Sequence, residues 1–123
     1  MNKAVILTNN PLAAKKLMGR FQIEFIHGTA RSVLLMVRDM VYRGHGLLTH
    51  PMPGSVKPND TPYKSVAVSG ERGETDLLGA EIISKSIELF DRFSFRNTEY
   101  DDTLLGDFML IDYTLISSGI DGA

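Results

Sequence analysis

The sequence predicts an α/β fold: a single small domain over residues 1–123, with a mostly parallel sheet of about four or five strands and helices on both faces. Three observations predict it. Short runs with strand character alternate with runs of helical period. Turn chemistry punctuates them, most clearly at Asn10–Pro11 and at Gly44. No repeat or domain boundary divides the 123 residues, a length that makes one domain with a real core.

The elements follow in order. Lys3 to Thr8 (KAVILT) sets Val5, Ile6 and Leu7 in succession, the pattern of a strand buried on both faces. Asn10 is a good helix N-cap and Pro11 suits the first helical position, where its missing N–H costs nothing. A first helix is therefore expected from Pro11 to about Met18, ended by Gly19. Phe21 to Ile26 alternates, with Phe21, Ile23 and Phe25 on one face of a second strand. From Ala30 to Arg43, Val33, Leu34, Val37 and Val41 recur at helical spacing, with Thr29 as cap and Gly44 at C′. Leu35, Met36 and Met40 widen the apolar surface of this second helix. It is expected to be covered on more than one side, by the sheet and by a partner subunit as in a homodimer. Arg31, Arg38 and Arg43 mark its wet face.

Gly46 to Thr49 reads as a short strand and Tyr63 to Ser69 as a strand with one apolar side, followed by a turn at Gly70–Glu74. Thr75 is expected to cap a third helix to about Phe93, with Leu78, Ile82, Ile83, Ile87 and Phe90 inward. Ser94 to Asp107 reads as irregular. Phe108 to Ser118 carries both signals, and the stripe Leu110, Ile111, Thr114, Leu115, Ser118 favours helix over strand.

Composition excludes several functions. Cysteine is absent, so disulfides, thiolate nucleophiles and Cys-ligated metals are ruled out. The net charge of −2 and the lack of a basic stripe argue against nucleic acid as partner. No apolar run approaches the ~18 residues of a membrane span, and the first twelve residues read as a strand rather than a signal peptide. No cofactor signature is present. GSVKPNDT superficially resembles a phosphate-binding loop but lacks the Gly before the Lys and the Ser/Thr after it, and neither GRGHG nor SGERG gives G-x-G-x-x-G. The histidines do not have metal-ligand spacing. The acidic group Glu99, Asp101, Asp102 and Asp107 lacks the pattern of an EF-hand loop.

The most distinctive stretch is Gly44 to Ser65, which holds four of the five prolines and two of the three histidines. Each of Pro51, Pro53, Pro58 and Pro62 fixes φ near about −65° and restrains the residue before it. Such a segment holds polar groups in set positions, as a binding site needs. In an open α/β sheet, ligands sit beyond the carboxyl ends of the strands. Two polar segments follow predicted strands: Thr8–Asn9–Asn10, and the stretch that starts at Thr49–His50. Their convergence would make a site for a small anion. Thr8, Asn9 and Asn10 sit beside the free N–H groups of a helix start. Lys57 and Lys64 offer positive charge, and Gly54 and Ser55 allow close backbone approach. Asn59, Thr61 and Tyr63 offer directional hydrogen bonds. The competing readings are a capped helix and an ordered loop packed by its own prolines. His50 is the one residue here suited to acid–base work, and such a role needs a carboxylate to orient it, Asp60 being nearest in sequence. Otherwise its ring holds the loop through backbone groups.

TNNP after the first strand, VRDMVYRGHGLLTHP, GSVKPNDTPYKS and the closing LIDYTLI together resemble the GrdX family. These are small proteins encoded beside the selenium-dependent glycine reductase of amino-acid-fermenting anaerobic bacteria. The resemblance implies a cytoplasmic accessory to glycine, sarcosine or betaine reduction, with a reductase subunit as a candidate partner. It implies no activity and supplies no catalytic residues. Three functions follow as expectations: a binding or regulatory module for phosphate, acetyl phosphate or a carboxylate; a small hydrolase or transferase using His50; or an assembly factor that docks through an apolar patch at Met36 and Met40.

Overall fold

A computed structural model describes residues 4–52, 61–92 and 100–121. Among these, four strands and four helices follow in the order β1 (Val5–Thr8), α1 (Pro11–Leu17), β2 (Gln22–Phe25), α2 (Ala30–Tyr42), β3 (His45–Leu47), β4 (Ser65–Arg72), α3 (Leu77–Arg92) and α4 (Asp102–Asp121).

The strands form one sheet in the order β2-β1-β4-β3. Only β1 and β2 run parallel; β4 is antiparallel to both β1 and β3. The sheet is therefore mixed, and the expectation of a mostly parallel sheet is corrected. The reason lies in the connections. A parallel pair needs a crossover, which α1 supplies between β1 and β2. Between β3 and β4 the proline-rich stretch provides no helix among its described residues, so the chain returns antiparallel to the strand it left. One consequence matters for function. Thr8 pairs with Phe25 on one side and with Ser65 on the other. The carboxyl ends of β1 and β2 and the start of β4 thus share one end of the sheet.

Packing follows strand alternation. Val5 and Leu7 of β1 and Val66 and Val68 of β4 join a core cluster with Val33, Leu34, Val37 and Val41 of α2 and Ile83, Ile87 and Phe90 of α3. Ile6 and Ala67 join a second cluster with Ala13 and Leu17 of α1 and Ile116 of α4. Both β1 and the first half of β4 are buried throughout, so β4 does not have the single apolar side its alternation suggested.

Several local expectations are refined. Asn10 caps α1 through its side chain, which accepts from the Leu12 N–H at 3.0 Å, and Thr29 caps α2 by accepting from the Ser32 N–H. The second covering of α2 is α3 of the same chain: Tyr42 and Ser84 share a 2.9 Å hydrogen bond and Arg31 pairs with Asp91 at 2.8 Å. Met40 packs against the core, which leaves Met36 as the exposed member of the pair. The start of α3 is held by Asp76 rather than Thr75: its carboxylate accepts from the Gly79 N–H at 2.9 Å and from Leu47 N–H of β3 at 3.0 Å. These two bonds keep the Asp76 carboxyl below the usual carboxylate range. Leu78, expected inward, is exposed, while Ile83, Ile87 and Phe90 are buried. β4 runs on to Arg72, through the expected turn. Helix α4 starts at Asp102, inside the stretch read as irregular, because Asp101 accepts from the Leu104 N–H at 2.8 Å and caps it.

Two glycines have left-handed backbone, Gly19 at φ 89° and Gly44 at φ 110°. They differ in surroundings: a Cβ on Gly44 would meet the Gly73 carbonyl oxygen at 2.5 Å, whereas nothing lies within 4 Å of one on Gly19. Gly44→Ala should therefore lose at least about 2 kcal/mol in chemical denaturation, and Gly19→Ala only about 1 kcal/mol. Equal losses would show that the Gly44–Gly73 approach is not a constraint.

Candidate functional site

The end of the sheet where β1 stops and β4 starts holds two adjoining arrangements, one sealed and one open. The sealed one is a chain of hydrogen bonds. Asp112 of α4 accepts from Ser65 Oγ at 2.6 Å and from Asn10 Nδ2 at 2.9 Å, both on Oδ2. Because the Ser65 proton goes to Asp112, the 2.7 Å contact between Ser65 Oγ and Thr8 Oγ1 must have Thr8 as donor. Thr8 Oγ1 in turn accepts from the Asn10 N–H at 2.9 Å. Asn10 spends its other Nδ2 hydrogen on the Met109 carbonyl at 2.9 Å. Thr8, Asn10, Ser65 and Asp112 are all buried.

Burial pushes the Asp112 carboxyl up, against the pull of Ser65, Asn10 and the Lys64 charge. Lys64 is itself buried; desolvation pushes its ammonium down while Asp112 pushes it back up. Thr8 and Asn10 were expected to present donors to an external anion, and Lys64 a positive charge. The structure shows where those groups point their bonds: Thr8 and Asn10 serve a carboxylate of the protein itself. At the start of α1 the Leu12 N–H is taken by the Asn10 side chain.

Asn9 knots the open arrangement. Its Nδ2 donates to the carbonyls of Gly28 at 3.1 Å and Pro62 at 2.9 Å, and its Oδ1 accepts from the Lys64 N–H at 2.9 Å. One side chain thus joins the end of β1, the turn before α2 and the segment entering β4. Between these segments lies a cleft of about 480 Å³. Asn9, Thr61, Pro62 and Tyr63 form one wall; Gly28, Thr29, Ala30 and Arg31 form the second, at the start of α2. Phe90 of α3 and Tyr100 complete the lining.

The chemistry of the cleft is mixed. Three aromatic rings, Tyr63, Phe90 and Tyr100, make it largely apolar. The cap at Thr29 satisfies Ser32 and Val33. No described residue accepts from the N–H groups of Ala30 and Arg31, the first two of the 13-residue α2. The Arg31 guanidinium grips Asp91 through two bonds of 2.8 and 2.9 Å, which raises its own pKa and lowers that of Asp91. Its charge is largely answered, so the directed positive feature of the cleft is backbone. Tyr63 Oη is partly buried and its phenol is pushed up accordingly.

Of the twelve residues expected to bind a ligand, Asn9, Thr61 and Tyr63 line the cleft, and Thr8, Asn10 and Lys64 lie in the buried layer next to them. Thr49 is elsewhere: its Oγ1 accepts from the Ala67 N–H at 2.9 Å and its methyl group lies close to Gly119 of α4. His50 is exposed, and its Nδ1 accepts from the Met52 N–H at 2.9 Å. Among the described residues it touches no carboxylate and no hydroxyl, the contacts a catalytic histidine needs. Gly54, Ser55, Lys57 and Asn59 lie outside the described residues, as do Asp60 and Glu99. No three His, Asp or Glu side chains are close enough to hold a metal ion among the described residues.

Sequence reasoning missed the α2 wall, Phe90, Tyr100 and Asp112. One signal was present. Thr29 caps a helix nearly twice as long as α1, and the argument about free N–H groups at a helix start applies there with more force.

In comparison with known proteins, residues 5–121 match the family model described as GrdX-like protein. No curated protein and no solved structure matches the chain. No helix among the described residues is long and apolar enough to cross a membrane.

The buried network makes a stability prediction. Asp112→Ala strands the Ser65 hydroxyl and an Asn10 amide hydrogen, and should cost about 2–3 kcal/mol. Asp112→Asn keeps an acceptor oxygen and should cost less. The pH sign also follows. The Asp112 carboxyl is raised on folding, so between its unfolded and folded values the native state binds the extra proton, and its contribution declines as pH rises through that window. The Asp76 carboxyl is lowered, so its contribution is present above its unfolded value and is lost as pH falls. Denaturation of wild type and Asp112→Asn from pH 3 to pH 8 should show the high-pH decline only in the wild type.

Proposed function

Because the chain belongs to the GrdX-like protein family, we propose that it is a ligand-binding accessory of glycine reductase-type amino-acid fermentation, whose cleft takes a small carboxylate or acyl phosphate. The observation that carries this reading is the pair of N–H groups at Ala30 and Arg31, directed by the dipole of a 13-residue helix at the mouth of an otherwise ring-lined cleft. An anionic head is held at the helix end, and a short apolar body lies against Tyr63, Phe90 and Tyr100.

The same geometry ranks the anions. Inorganic phosphate satisfies the helix end but leaves the rings unused. A carboxylate or acetyl phosphate with carbon attached uses both. The bonds of Asn9 to Gly28 and Pro62 support the reading, since they hold the two walls apart and ready before any ligand arrives. Binding and regulation fit this cleft better than catalysis, because His50 makes none of the contacts of a working acid or base among the described residues.

The test is a melting-temperature series with phosphate, acetyl phosphate and short carboxylates, followed by calorimetry. A ligand selective for the folded state at about 100 times its dissociation constant stabilises by about 2.7 kcal/mol, a readily measured shift. Ala30→Pro removes one N–H at a helix position that proline tolerates, and Tyr63→Ala opens one wall. Each should abolish most of the shift while the protein stays folded. If no anion in the series moves the melting temperature of the wild type, this reading fails.

A further inference from the structure

We propose that the cleft takes an aryl carboxylate: an acid group joined by a short carbon arm to a single aromatic ring. The acid is the group held at the start of α2, so the inference rests on the function proposed above and names the class of ligand more narrowly.

Size sets the first limit. The cleft encloses about 480 Å³. At about 30 Å³ for each water, that is space for roughly sixteen of them. Acetate or acetyl phosphate would leave roughly half or more of this space to solvent. One ring on a short acid arm fills it far better, as in ordinary small-molecule sites, where about 70–90% of the ligand surface is covered.

The rings set the second limit. Tyr63 comes from the segment that enters β4, Phe90 from α3 and Tyr100 from the segment before α4. Two of the three are held by contacts of their own. Phe90 is 7% exposed and belongs to the larger core cluster. Tyr100 packs edge-to-face on Phe108 of α4, with ring centroids 5.3 Å apart and planes at 84°. Rings already fixed by packing lose little freedom when a ligand settles against them. A ring in the ligand gains stacked or edge-to-face contact with them beyond the area it covers. An aliphatic body of the same bulk gains only the area.

The two ends of the cleft are also fixed relative to each other. Asn9 donates to the carbonyls of Gly28, in the turn before α2, and of Pro62, next to Tyr63. The N–H groups of Ala30 and Arg31 and the ring of Tyr63 therefore stand on walls joined by one side chain. A ligand with its acid at one end and its ring at the other meets both at once. An acid without a ring, or a ring without an acid, meets one.

Calorimetry of the full chain with acetate, acetyl phosphate, phenylacetate, 3-phenylpropionate, cyclohexylacetate and phenethylamine tests the proposal. At least one of the two aryl acids should bind about tenfold or more tightly than acetate, because burying the ring adds to the contact of the acid. Cyclohexylacetate should bind about threefold or more weakly than phenylacetate. Phenethylamine, a ring without an acid, should not bind. Tyr100→Leu should narrow the gap between aryl acid and acetate, whereas Ala30→Pro should weaken both alike. If Tyr100→Leu fails to fold, Tyr63→Leu reads the same gap from the other wall. Acetate or acetyl phosphate binding as tightly as the aryl acids overturns the inference and leaves the cleft standing as a site for small acids. Cyclohexylacetate matching phenylacetate, or a gap untouched by the ring variants, does the same. Phenethylamine binding as well as phenylacetate overturns the inference and the acid site with it, and so does a wild type that binds none of the acids.

Discussion

The structure depends on one buried carboxylate. Taking the Asp112 side chain out of water carries a desolvation cost that must be met by hydrogen bonds. Two donors offset part of it directly, Ser65 Oγ and Asn10 Nδ2, and Thr8 extends the chain by one hydroxyl. The four residues come from β1, the cap of α1, β4 and α4. Helix α4 buries Asp112 and Ile116, and Tyr113 and Ile120 pack against the same cluster, so a polar anchor joins the apolar contact that docks it on the sheet. A polar anchor fixes register in a way that a smooth apolar contact does not. A shift of α4 by one residue would remove the acceptor from both donors at once.

That anchor also takes up the side chain at one helix start: Asn10, the cap of α1, donates to Asp112, a carboxylate of the chain itself. The start of α2 has no such internal partner among the described residues, and Asn9 holds it open by bridging Gly28 and Pro62. Two adjacent asparagines thus do opposite jobs. Asn10 closes one helix start and Asn9 props another apart. The difference comes from side-chain direction at the end of one strand, where successive residues point to opposite sides of the sheet.

This explains which parts were legible in the sequence. Helix caps are local, so Asn10–Pro11, Thr29 and Gly44 could be read directly, and so could the core stripe of α2. The mixed sheet had a sign in the sequence: parallel neighbours are usually joined by a crossover helix, and the proline-rich stretch between β3 and β4 carries no helical period. The regular alternation of the first half hid this. Leu78 was misplaced because it lies five residues before Ile83, about 140° around the helix from the buried stripe of Ile83, Ile87 and Phe90. Asp112 gave no signal. A lone acid in LIDYTLI looks like a solvated residue on an apolar helix, and its partners Asn10 and Ser65 lie 102 and 47 positions away. Of the residues the sequence singled out, Asn9, Thr61 and Tyr63 line the cleft, and Thr8, Asn10 and Lys64 lie in the buried layer beside it. The cleft wall at Phe90 and Tyr100 is a tertiary product that no local pattern announces.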